Sequence, residues 1–316
     1  MKRTIHRRYR WYLIPAIFAG LALPVFLALR FYVVNLYSFS AAGIIAHKEH
    51  DLMIIAVLLM LLVIVPVLGL TIFFAWHYRA GNSHATYTPD WDHAKTDELI
   101  WWAIPFEIIL VLAALTWTST HELDPWKPLQ SNVPPVTVEV VALNWKWLFI
   151  YPDLHIATVN ELEIPEHTPI NFKLTADAPM NSFWIPKLGG QIMAMTGMVT
   201  ELHLMATEQG VFQGRSANFS GDGFAGMQFD TRSVSSSTFA AWVASVQSSG
   251  IPLDETAYNT LAQPSQYVPP TGYVLTDTTL FSKIVAKYRG VGSTMDGMMT
   301  TTTPRTTTTT TAAMNM

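Results

Sequence analysis

Three short polar side chains at alternate positions, Ser216, Asn218 and Ser220, lie in a glycine-rich run from Gly214 to Met227 that also holds Phe224. Upstream, Asn181 falls in the run Met180-Asn-Ser-Phe-Trp-Ile-Pro186. These positions offer hydroxyls, amides, a phenyl ring and one thioether. Soft copper prefers thiolate and imidazole, for which a serine hydroxyl is a poor substitute. The chain has no cysteine, so thiol catalysis and disulfides are excluded. Met180, Met193, Met195, Met198 and Met227, with His203, would suit Cu(I). The two-residue spacing of Met193 and Met195 fits one face of a strand, however, and methionine is a routine core filler. His155, His167 and His203 lack metal-ligand spacing as a set. No Ser-His-Asp arrangement, phosphate loop or paired-carboxylate motif stands out. The expectation is a chain with no catalytic residue and no metal ligand of its own.

Two carboxylates stand where a charge is conspicuous. Glu98 opens an apolar run, Leu99–Trp117, and Glu107 lies inside it. A carboxylate at a helix start is favoured by the helix dipole. One within a membrane span is costly and usually faces protein or water.

The elements that carry these residues divide the chain in two. Half of the 316 residues are hydrophobic and 13% are charged, against about 25% in soluble domains. The deficit is concentrated ahead of Thr118. Net charge is −4 with no basic stripe, which gives no reason to expect nucleic acid as a partner. Residues 1–10 carry five Lys or Arg and precede apolar Trp11–Leu29. This is the layout of a signal peptide or a retained signal-anchor, and 1–50 is assigned to it together with a short exported segment. Leu52–Trp76 and Leu99–Trp117 are each long enough to span a bilayer, with tryptophans near the ends of the second. A short polar connector makes them an antiparallel hairpin over 51–118. The basic N-terminus places the hairpin's outer ends, and everything after Thr118, outside the cytoplasm.

Beyond a linker at 119–133, the texture becomes β-branched and alternating. Strands are expected at Val136–Ala142, Trp145–Tyr151, Glu161–Ile164, Ile170–Thr175, Ser182–Ile185, Met198–Met205, Gly210–Ala217 and Phe224–Phe229. Short strands with turn signals between them suggest a β-sandwich. Helices are expected at Thr238–Gln247, Ala257–Leu261 and Leu280–Tyr288 within an extension over 231–289. Residues 290–316 are rich in Gly, Met and Thr and read as a disordered tail.

The loop and its surroundings resemble a known family. In cytochrome c oxidases the binuclear copper loop reads Gly-x-Cys-x-Glu-x-Cys-Gly-x-x-His-x-x-Met. Laid on it without a gap, Gly214, Gly221 and Met227 match, while Ser216, Ser220, Asn218 and Phe224 replace the cysteines, the glutamate and the histidine. Asn181 stands for the upstream histidine. A loop of this length without its ligands resembles subunit II of the haem-copper quinol oxidases, the cytochrome bo type. Phe74-Ala-Trp-His-Tyr-Arg-Ala80, Glu98-Leu-Ile-Trp-Trp-Ala-Ile-Pro105, Asn144-Trp-Lys-Trp-Leu-Phe-Ile-Tyr-Pro152 and Asn181–Met195 extend the likeness.

The resemblance implies a membrane α-helical hairpin, an all-β cupredoxin-like sandwich over 134–230, and a small C-terminal helical extension. It implies a non-catalytic subunit of a proton-pumping ubiquinol oxidase in the bacterial inner membrane, its main domain periplasmic. Haems and copper would belong to subunit I. The partners would be that subunit, smaller membrane subunits and membrane lipid, with ubiquinol reached through subunit I. Glu98 matches a glutamate at the cytoplasmic mouth of the family's proton channel. Trp145 and Trp147, and Pro186 and Gly189 of the following loop, would meet subunit I. The amide of Asn218 offers only a neutral oxygen, so no magnesium or manganese is assigned. The competing reading is a membrane-anchored cupredoxin electron carrier with an altered copper site.

Overall fold

The computed structural model describes residues 41–86, 94–248 and 250–292. The signal or signal-anchor reading of residues 1–40 and the tail reading of residues 293–316 lie outside the described residues, as does part of the hairpin connector.

Among the described residues two long helices come first, α1 (Ile44–His77) and α2 (Lys95–Glu122). Both are long and apolar enough to cross a membrane. Leu58, Leu62, Val65 and Ile72 on α1, and Leu99, Trp102 and Trp117 on α2, are more than half exposed. Such a helix, apolar all round and uncovered, is stable only in an apolar solvent. At 34 residues α1 rises about 50 Å, well beyond a hydrocarbon core of about 30 Å. Its first two turns, Ile44–Asp51, therefore stand outside the span expected at 52–76. From His47 to Asp51 they are polar in sequence, and the helix continues through them because the domain that follows the hairpin holds its start. Ala42 N–H donates to Lys187 O (2.8 Å), Thr207 N–H to Ala42 O (2.8 Å) and Ala46 N–H to Leu188 O (3.2 Å). Gly43 sits so close that a Cβ there would lie 2.6 Å from Leu188 O. The outer ends of the two helices are joined by an ion pair, Lys48 to Glu122.

Among the described residues twelve strands build two facing sheets: β1 Val136–Leu143, β2 Lys146–Tyr151, β3 Ile156–Val159, β4 Glu161–Pro165, β5 Ile170–Ala176, β6 Asn181–Trp184, β7 Ile192–Ala194, β8 Thr200–Leu204, β9 Gly210–Ser216, β10 Gln228–Val234, β11 Pro252–Leu253 and β12 Thr271–Leu275. The larger sheet has the order β11-β12-β3-β2-β1-β5-β8, the smaller β4-β10-β9-β6-β7. The inter-sheet core is aromatic: Trp147, Phe149, Phe172, Phe183 and Phe229 are buried there. The Phe183 and Phe229 rings stack at 5.3 Å.

Three further helices follow, α3 (Ser236–Ser248), α4 (Glu255–Leu261) and α5 (Leu280–Gly292). Ser235 Oγ accepts from Thr238 N–H (3.2 Å) at the start of α3, as a serine before a helix does. The extension does more than add helices. β12 pairs antiparallel with β3, and Tyr258, Leu280, Phe281 and Ile284 pack on Val141, Leu148 and Ile150 across the outer face of the sheet. Two strand expectations change. Phe224–Gly226 is a 3-10 turn, and the strand begins only at Gln228. β10 runs through residue 234, past the boundary expected at 230.

Candidate functional site

The loop from Ser216 to Met227 is anchored at both ends by sheet hydrogen bonds. Phe183 of β6 pairs with Ser216 of β9, Ala217 N–H donates to Ser182 O (2.9 Å), and Ser216 N–H donates to Met227 O (3.2 Å). This brings Asn181, Ser216, Asn218 and Met227 together. Ser216 Oγ contacts Asn181 Oδ1 at 3.0 Å and Asn218 O at 3.1 Å. Asn218 Nδ2 donates to Met180 O (2.9 Å), and Asn181 Nδ2 to Pro179 O (2.7 Å). Asn181 and Met227 are 1% exposed. The replacing residues are held by neutral hydrogen bonds, to one another and to the backbone of Pro179 and Met180.

Ser220 and Phe224 lie further along the loop. Trp145, held at φ 65° in the turn before β2, donates from Nε1 to Ser220 O (3.1 Å). Its ring lies so tightly on the loop that a Cβ on Gly223 would meet Trp145 Cγ at 2.4 Å. Phe224 packs edge-on against Phe219, centroids 5.4 Å apart. Ser220 Oγ is buried without a hydrogen-bond partner among the described residues. The donor set does not fit a binuclear copper centre: two hydroxyls, two amides already engaged, a phenyl ring and a core thioether. No cluster of three or more His, Cys, Asp or Glu that could hold a metal occurs among the described residues.

Glu98 lies in the first turn of α2, partly buried, its N–H donating to Ala94 O (2.9 Å). That is the end of the helix opposite Glu122, where α2 meets α1 and the exported domain. Glu107 is exposed within the apolar stretch.

Family models match two parts of the chain. Residues 151–234 match the periplasmic domain of cytochrome c oxidase subunit II, and residues 247–291 match the COX aromatic rich motif. Cytochrome bo(3) ubiquinol oxidase subunit 2 of Pseudomonas aeruginosa is 49% identical over 254 residues, covering 80% of this chain and 77% of the relative. The corresponding protein of Pseudomonas putida is 51% identical over 249 residues, 79% of each chain. Ubiquinol oxidase subunit 2 of Acetobacter aceti is 50% identical over 239 residues, 75% of this chain and 77% of the relative. The chain belongs to the ubiquinol oxidase subunit 2 family. A solved periplasmic domain of cytochrome oxidase subunit II from Bradyrhizobium japonicum aligns with a TM-score of 0.37 at 22% identity, over 39% of this chain and 99% of that one.

Within this ubiquinol oxidase subunit, the four contact candidates separate. Trp147 is fully buried, with its ring edge-on to Phe183 (5.4 Å) and Phe229 (5.9 Å). It presents no surface to a partner and is corrected here to a core residue. All of β2 is buried, because the extension covers the face that alternation would leave exposed. Trp145 keeps one partly exposed face over the loop. Pro186 and Gly189 are buried in the loop that seats this chain's own α1, beside Ala46 and Met53. A Cβ on Gly189 would come within 3.0 Å of the Ile45 side chain. Their contact is intramolecular, with the hairpin.

Sequence reading also missed a buried carboxylate. Glu139 on β1 is in register with Lys173 of β5, yet its Oε2 is buried with no hydrogen bond among the described residues. Burial pushes its pKa up to about 7, Lys173 opposes the shift and Asp153 adds to it. A carboxyl raised in the folded state favours the fold below its unfolded pKa, about 4.5, and that contribution is lost as pH rises to about 7. The full shift is worth about 3 kcal/mol, and partial exposure reduces this to about 1–2 kcal/mol. Glu139→Gln is therefore expected to stabilise the solubilised chain by about 1–2 kcal/mol at pH 8 and by nothing at pH 4. Thermal unfolding at the two pH values checks this, and an equal effect at both would show that charge is not the cause.

Proposed function

We propose that the chain is the non-catalytic subunit 2 of a proton-pumping terminal ubiquinol oxidase of the bacterial inner membrane, with its sandwich and extension on the periplasmic side. Ubiquinol is oxidised and oxygen reduced to water elsewhere in the complex, at haems and copper held by subunit I. The hairpin braces subunit I within the membrane and the sandwich covers its outer face. Smaller membrane subunits complete the assembly. No electron passes through this chain. Glu98, at the inner end of α2, takes part in proton uptake. Trp145 and the loop it covers offer the sandwich's contact to subunit I.

The observation that carries this reading is the Ser216–Asn181 hydrogen bond, at 3.0 Å. Two positions that hold copper ligands in cytochrome c oxidases, one in the loop and one upstream of it, here satisfy each other, in a chain about half identical to ubiquinol oxidase subunits. The test is purification from membranes through a tag on this chain. A large haem-bearing subunit should co-purify, and the complex should oxidise ubiquinol but not reduced cytochrome c. A mixed-valence two-copper spin-resonance signal, or stable recovery of the chain with no haem-bearing partner, would overturn the reading.

A further inference from the structure

The outer ends of the two helices and the underside of the sandwich enclose a cavity of about 350 Å³, within the roughly 300–1,000 Å³ of small-molecule sites. Its charged lining has both signs: Lys48 and Lys127 against Glu49, Glu122 and Asp124. Lys48 and Glu122 are already paired. Glu49 accepts a hydrogen bond from the Gly190 backbone and Asp124 Oδ1 one from Trp126 N–H (3.0 Å), which leaves Lys127, near Glu122, and the remaining acceptor positions of the two carboxylates to meet a ligand. His203 forms part of the wall and is 6% exposed. Its Nδ1 is 2.8 Å from Asn171 Oδ1. Burial holds its pKa below the ordinary histidine value, against the pull of Glu201, so it adds no charge at neutral pH.

The cavity does not end at the sandwich. A second opening of about 240 Å³ shares Lys48, Glu122 and Leu123 with it and lies between α1 and α2, lined by Asp51, Thr118 and Ser119 as well as by Leu52, Ile55 and Leu115. The chamber lies at the outer ends of the helices, and the cleft between them is part polar, through Asp51, Thr118 and Ser119, and part apolar, through Leu52, Ile55 and Leu115. A ligand filling both needs a charged head carrying both signs and a hydrocarbon tail. We propose that this is a binding site for an outer-leaflet phospholipid with a phosphoethanolamine headgroup. Lys127 takes the phosphate, Glu49 and Asp124 accept hydrogen bonds from the ammonium, and an acyl chain lies in the cleft along Leu52, Ile55 and Leu115. A phosphoglycerol head would leave the two carboxylates unbalanced. A phosphocholine head has no N–H to donate to them.

The inference rests on the proposed topology, in which the helices span the membrane and the sandwich lies outside. The experiment therefore begins with the intact complex, purified gently through this chain. Absence of a haem-bearing partner at that step would refute the functional reading, separately from the lipid site. Native mass spectrometry should then show one phosphoethanolamine lipid retained by the parent complex and by Lys127→Arg, with occupancy falling at least tenfold in Lys127→Glu. After delipidation, vesicles containing phosphoethanolamine lipid should restore it, and phosphocholine or phosphoglycerol vesicles should not. Equal retention by the parent and Lys127→Glu, or equal rebinding of all three headgroups, would overturn the proposal. So would a map of the complex with a quinone or another subunit's chain in the cavity.

Discussion

Replacing Glu98 by alanine is expected to slow ubiquinol-driven oxygen uptake by roughly tenfold, with assembly and haem spectra unchanged. A group in direct proton transfer is worth about 10²–10⁴. A residue that only gathers protons at a channel mouth can be bypassed by water, which places the loss nearer tenfold, or about 1.4 kcal/mol of barrier. The geometry supplies the control. Glu98 and Asp97 both lie in the first turn of α2, so each contributes similarly to the helix dipole, about 0.3–1 kcal/mol of stability. Asp97 is exposed and Glu98 partly buried. If Glu98 acted only on the helix, Asp97→Ala and Glu98→Ala would behave alike. If it gathers protons, Glu98→Ala slows turnover, Glu98→Asp retains part of it, and Asp97→Ala does little. Turnover that Glu98→Ala leaves unchanged would remove the assignment.

The loop was readable in sequence because two positions demand glycine whatever the residues between them are: Gly214, where a Cβ would meet the Phe229 ring at 2.0 Å, and Gly221, at φ 109°. Its replacing residues could be named, but their mutual satisfaction could not: the Ser216–Asn181 contact joins positions 35 apart in the chain. Trp147 shows a different limit. In a strand with one wet face, alternation tells inside from outside. In β2 both faces are dry, one against the smaller sheet and the other against α4 and α5. Nothing in Lys146–Tyr151 itself reports that second cover. The start of α1 was hidden for the opposite reason. His47, Lys48, Glu49, His50 and Asp51 look like a solvated segment, and the helix persists through them because residues 42–46 are strapped to the loop at 187–188 and to 205–207. β3 and β12 are short, and they become strands only by pairing, β3 between β2 and β12, and β12 between β3 and β11.

Asp177→Ala is expected to cost about 3 kcal/mol and to loosen the C-terminal extension from the sandwich. The Asp177 side chain is 2% exposed. It accepts hydrogen bonds from the Tyr258 hydroxyl of α4 (2.6 Å) and from Lys287 Nζ of α5 (2.7 Å), and a third from the Tyr288 hydroxyl. One carboxylate just beyond β5 thus ties down both helices. Hydrogen bonds to a charged group are worth about 1.5–3 kcal/mol each. Lys287 is 57% exposed, so its ion pair adds under about 1 kcal/mol, and the tyrosines carry most of the effect. Tyr258→Phe should then cost about 1.5–2 kcal/mol, a single bond's share. The extension's apolar contacts through Phe281 and Ile284 remain, so detachment is partial, and protease cleavage within 250–292 reports it better than global unfolding. Acid should mimic the substitution. Burial alone would raise the Asp177 pKa, but the bonds from Lys287, Tyr258 and Tyr288 outweigh it and hold the carboxyl below its ordinary value. A depressed carboxyl stabilises the fold above its unfolded pKa, about 4, and that stability is lost as pH falls through the lower folded value. Cleavage of the parent protein should therefore accelerate only below about pH 4, whereas Asp177→Ala is cleaved quickly at neutral pH and changes little on acidification. Equal cleavage rates for the two proteins at pH 7 would show that the hydrophobic contacts alone hold the extension in place.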